Sequence, residues 1–140
     1  MSIHSDILLA LDAKVEDATA GLNLTCIKGY PAFDRPDISL PVAAVWWQRD
    51  TPLGNKRVGG SMGASYDTIF NLAVFAQDEP RLMTYVAAVG AMMDGWTRDT
   101  ISSTEMHIRA EPLDRLPVGD DATEATRYAA QCEIHFQYVR

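Results

Sequence analysis

Two imidazoles and two carboxylates are the first residues that could do chemistry. His107 and His135, with Glu105 and Glu133, fall on the outward parity of two predicted strands, and such a set could in principle hold zinc. Yet no short H-x-H or H-x-x-x-H spacing fixes a pair, and mixed charges on a solvated sheet face account for the same residues. His4, in the first turn of a helix, adds nothing to a ligand set. Nucleophilic catalysis needs Ser or Cys beside a His with a carboxylate behind it. Cys26 and Cys132 instead fall on the apolar parity of their strands, as small, reduced core residues would, and no G-x-S-x-G occurs. Gly54, Gly59, Gly60 and Gly63 invite a phosphate loop, but Ser61 is followed by Met62 while Lys56 and Arg57 come too early. No catalytic residue, metal or cofactor is expected.

The residues left over fit contact better than catalysis. Trp46 and Trp47 are neighbours on a strand, so their side chains leave opposite faces. One can join a core, and the other is either an edge-strand residue or part of a protein–protein contact, where Trp is enriched. Lys56 and Arg57 stand with Met62 in the glycine-rich stretch Thr51 to Ser65. Asp114, Asp120 and Asp121 stand with Glu111 and Glu124 in a second long stretch, Glu111 to Glu124, against the single Arg115. Both stretches read as loops, far longer than the roughly 4–6 residues of an economical connection. Opposite charges on two projecting loops suit a head-to-tail contact between subunits.

The elements that must position these residues follow from periodicity. Ile3, Ile7, Leu8, Leu11, Val15 and Ala18 give one helix, capped by Ser2 or Ser5 and stopped by Gly21, with Asp6, Asp12, Lys14, Glu16 and Asp17 on its other side. Leu22 to Gly29 predicts a strand, Tyr30 to Pro41 a proline-punctuated loop, and Val42 to Gln48 a second strand. Tyr66 to Ala76 has the β-branched and aromatic content of a central strand. Asp78, Glu79 and Pro80 open a second helix, whose stripe is Leu82, Val86, Val89, Met93 and Trp96. A strand around Glu105 to Ala110 precedes the last one, where Tyr128, Ala130, Cys132, Ile134, Phe136 and Tyr138 alternate with polar residues. The order α-β-β-β-α-β-β predicts an α+β domain: a mostly antiparallel sheet with both helices on one face. The other face must then meet water or another subunit.

Composition bounds the partners. The 140 residues, 47% hydrophobic and 22% charged, are expected to form one domain, residues 1–140. Twelve Lys and Arg against 19 Asp and Glu give −7, which argues against retention of nucleic acid and against a polybasic membrane anchor. The longest apolar runs, Val42 to Trp47 and Tyr85 to Met93, fall far short of the roughly 20 residues that span a bilayer. With no Lys or Arg before Lys14 and Asp6 interrupting any apolar core, no secretory signal is expected, and the protein reads as made in the cytoplasm.

In this element order, in its two loops and in its final strand pair, nearly the whole chain resembles the tail terminator proteins of tailed bacteriophages. The resemblance rests on architecture, not on a short motif. It implies a homohexameric ring at the head-proximal end of the phage tail, assembled in the host cytoplasm, that caps the tube and ends its polymerisation. Its partners would be itself, the tail tube protein, a sheath protein where the tail has one, and the neck or connector proteins. Six bodies of about 35–40 Å leave an opening of comparable width, so duplex DNA could pass without specific binding. A head–tail joining protein of the same particle fits the same outline. A small α+β enzyme or ligand-binding dimer, with a pocket between helices and sheet, is the rival from another class.

Overall fold

The computed structural model describes residues 2–29, 40–58, 61–116 and 128–139, with backbone alone at 54–58 and 61–64. Helix α1 is Ile3–Ala18 and helix α2 is Glu79–Gly95; the strands are β1 Thr25–Lys28, β2 Val42–Val58, β3 Ser61–Ala76, β4 Arg98–Ile101, β5 Thr104–Ala110, β6 Asp114–Arg115 and β7 Tyr128–Val139. One seven-stranded sheet runs β1-β2-β3-β7-β5-β4, with β6 paired to β7. Every pairing is antiparallel except β1 with β2. The α+β organisation expected from periodicity is therefore present. Two short strands, β4 and β6, join the expected set.

The helices form where local chemistry places them. Ser2 caps α1, its hydroxyl accepting from the Ser5 N–H at 3.2 Å. Asp78 caps α2 in the same way, accepting from the Arg81 N–H at 2.9 Å, with Pro80 in the first turn. Gly21, two residues past the C-cap Thr19 of α1, takes a φ of +83°, which a side chain would resist. Ile3, Ile7, Leu11 and Val15 of α1 and Leu82, Tyr85, Val89 and Met93 of α2 are buried on one side of the sheet. There they meet Ala43 and Val45 of β2, Phe70, Leu72 and Val74 of β3, and Cys132, Ile134 and Phe136 of β7. Phe136 lies edge-on to both Phe70 and Trp96, with ring centroids 5.7 Å apart in each case.

Three expectations are corrected. Thr51 to Ser65 is not a loop: β2 runs on to Val58 and β3 begins at Ser61, so Lys56 pairs with Gly63 and Arg57 with Met62. Its four glycines and lack of apolar alternation argued for a loop, but backbone pairing needs neither apolar alternation nor side chains. Asp12 is not on the solvent side of α1; it is 6% exposed, with Lys28 Nζ 3.7 Å away. Cys26 is half-buried, not buried, whereas Cys132 is buried as expected, and both are free thiols.

Candidate functional site

The helix-free face of the sheet is neither bare nor plainly solvated. Val42, Ala73, Phe75 and Ala129 form a second small core there, with Ile27, Leu40, Trp46 and Leu116 packed against it. Trp46 is thus partly covered on this face. Trp47, on the helix side, remains 51% exposed. Its indole Nε1 donates to Asp50 at 3.2 Å, and its ring lies edge-on to His4, centroids 5.8 Å apart. His4 Nε2 also meets both Asp50 oxygens, at 2.8 and 3.0 Å. Burial pushes the Asp50 carboxyl up, but hydrogen bonds from His4, Trp47 and Thr68 and the nearby imidazole outweigh it, holding the group below the usual carboxylate range. Two clamped side chains thus hold an exposed indole in one orientation.

Farther along the helix-free face runs a polar row. His135 Nδ1 meets Asp67 Oδ2 at 2.7 Å, and both residues are 8% exposed, which corrects the expectation of a solvated sheet face. His135 Nε2 lies 3.5 Å from Glu133, which in turn lies 3.9 Å from Arg49. Asn71 donates to Gln48 at 2.8 Å and accepts from Gln131 at 3.4 Å. Strand register explains why the second imidazole stays apart. His107 pairs with Gln137 and His135 with Arg109, so the two are not opposite one another. Among the described residues no three of His, Cys, Asp and Glu converge as a metal site. Parity placed His135 on the outward face but did not single out Asp67; the β3–β7 register, which offsets Asp67 from His135 by two residues of β7, brings them together.

The charged candidates separate into two places. Lys56 and Arg57 stand on the ribbon that β2 and β3 extend beyond the rest of the sheet. The β3–β7 ladder ends at Ser65 with Val139, and four further β2–β3 pairs continue past it, from Asn55 with Ala64 to Val58 with Ser61. Met62 lies on the β3 side of that ribbon. Asp114 is exposed on β6, beside a groove of about 260 Å³ lined also by Glu111, Arg115, Leu116, Cys132 and Glu133. Asp120 and Asp121 lie outside the described residues. Burial, and then the carboxylates of Glu111, Asp114 and Glu133, push the Cys132 thiol up to about 12. That thiol senses a negative field at the groove.

A larger open groove of about 600 Å³ lies at the end of the sheet, between Leu53, Arg98, His107 and Val139. Between α2 and the sheet the described residues leave a cleft of only about 150 Å³, flanked by Gly90, Met93 and Leu113. No described helix is long and apolar enough to cross a membrane.

A scan of family models and a search of curated proteins return no match. Among solved structures, the chain is similar to a chain of the virion of a native gene transfer agent (GTA) particle. The TM-score is 0.51 at 15% identity, over 95% of this chain and 88% of that one. The two share a fold, and the shared fold takes in nearly all of both chains.

Proposed function

We propose that this chain is a structural protein of a phage-like virion, and that it acts as a tail terminator. Six copies close into a ring on the tail tube, end its polymerisation and offer their far side to the neck or head connector. The observation that carries this reading is the likeness to a virion chain over 95% of this sequence. An assembly role also suits an exposed, clamped tryptophan, a charged groove and a β2–β3 ribbon that runs past the β3–β7 ladder. Interface candidates are Trp47 beside α1, Lys56, Arg57 and Met62 on the ribbon, and Asp114 on β6; Trp46 contributes through the small core it covers. In this reading the protein has no reaction to catalyse, and it carries DNA past an acidic wall that does not retain it. Its other partners are the tube protein, a sheath protein where the tail contracts, and the connector.

Tail length is the decisive readout. In phage or gene-transfer particles lacking this chain, tubes are expected to overgrow and heads to remain unattached. Tails of normal length with unattached heads would assign the chain to head–tail joining instead. Normal, complete particles would overturn a virion role.

A further inference from the structure

Trp47 is an exposed indole that the fold already holds in place. Its Nε1 donates to Asp50 at 3.2 Å, and His4 lies edge-on to its ring. An aromatic side chain that is both exposed and ordered loses little freedom when a partner covers it, and Trp is enriched among the residues that dominate interfaces. The open groove of about 600 Å³ at the end of the sheet is its counterpart. Leu53 and Val139, both exposed, line that groove with Ser65, His107 and Gln137. Strand register sets the two on opposite faces of the sheet. Ser65 pairs with Val139 and His107 with Gln137, all on the parity of His135, whereas Trp47 pairs with Phe70 of the main core. Of the five large apolar side chains exposed among the described residues, Trp47, Leu53 and Val139 are three, gathered at one knob and one groove.

Resting on the ring reading above, we propose that Trp47 of each copy enters the groove between Leu53 and Val139 of a second copy of this chain. A chain that closes head to tail must carry both halves of its contact, on different patches, and this chain does. Size permits the fit, since pockets of about 300–1,000 Å³ hold drug-sized ligands and an indole is smaller. Charge points to a second copy as well. At −7 the chain repels its own kind over most of its surface. Asp50 is engaged by His4 and Trp47, and Glu105 in the groove lies 3.2 Å from Arg98. Neither patch therefore turns a bare carboxylate toward an acidic neighbour, and apolar burial can act without that penalty. The clamp on Trp47 then sets the angle at which one copy meets the next.

Photo-cross-linking on the purified full chain tests the contact directly. With Trp47 replaced by the photo-reactive aromatic p-benzoylphenylalanine, irradiation is expected to give a covalent dimer. Its cross-linked peptide should contain residue 53, residues 98–107 or residues 137–139. In sedimentation velocity, Trp47→Ala should weaken the oligomer at least about 30-fold and Val139→Glu at least about tenfold, as loss of an anchor and of its pocket would. Both side chains are exposed, so the circular-dichroism spectra should not change, and the cross-link needs neither variant to fold. A cross-link to another region of the second copy, or an oligomer unmoved by both substitutions, overturns the docking while leaving the ring intact. A wild-type chain that stays monomeric overturns the ring reading itself, and the docking with it.

Discussion

The clearest consequences at the residue scale concern groups held by a single partner. Asp67 and His135 bury a polar contact on the helix-free face, and Asp67 Oδ1 has no partner of its own among the described residues. Asp67→Ala therefore strips Nδ1 of its acceptor inside the protein and is expected to cost about 1–3 kcal/mol in urea unfolding. An unchanged midpoint would show that water reaches the imidazole. Asp50 behaves differently because its carboxyl is held below the ordinary range by His4, Trp47 and Thr68. A depressed folded-state pKa means the unfolded chain binds the proton first, so this contribution is present above the unfolded value, about 3.9, and lost as pH falls through the folded one. The stability gap between wild type and Asp50→Asn should widen as pH rises from about 2.5 to 5. A gap that is flat across that range would contradict the clamp on Trp47. Both thiols are pushed up by burial first, Cys26 further by Asp12 and Cys132 by Glu111, Asp114 and Glu133. Alkylation at pH 8 should be at least about 100-fold slower in the native protein than in urea, for half-buried Cys26 as for Cys132. Fast labelling of either thiol in the native state would contradict its assigned environment.

Among the elements, the strongest test of packing is Phe136, fully buried between Phe70 and Trp96 where β7 meets β3 and the end of α2. Phe136→Ala is expected to cost about 3–5 kcal/mol through the cavity it leaves. A loss under about 1 kcal/mol would mean that the other face of β7 turns inward. This face was legible in the sequence because strict alternation from Tyr128 to Tyr138 and the four–three stepping of α2 each fix a side without reference to the other. The ribbon was not legible in the same way. Apart from Val58 and Met62 its residues are polar or small, so it carries no period, although Val58 and Ser61 pair across only two residues, Gly59 and Gly60, a dipeptide common between hairpin strands. The two-residue β6 is too short to carry a period at all. Of the candidate site, the types and parity of Trp46, Trp47 and His135 were readable. Their partners were not, because His4 lies 46 residues from Asp50, and Asp67 lies 68 from His135. Replacing Lys56–Gly63 by Asn-Gly should leave the circular-dichroism spectrum unchanged, since those rungs pair only with each other among the described residues. A collapsed chain would show that the ribbon belongs to the core.

For the whole molecule, the comparison shows a fold shared with a virion chain, and assembly is the role proposed for it. The fold leaves one sheet face to the helices, and the other carries a small apolar core and a buried polar row. Everything proposed for tail capping depends on self-association. The direct measurement is therefore the mass of the purified full chain in solution, by sedimentation equilibrium at low salt and tens of micromolar. A ring of six predicts a single species at six times 15.4 kDa, visible as an annulus by electron microscopy. A mass of 15.4 kDa that persists at every concentration, with no annuli, would contradict it.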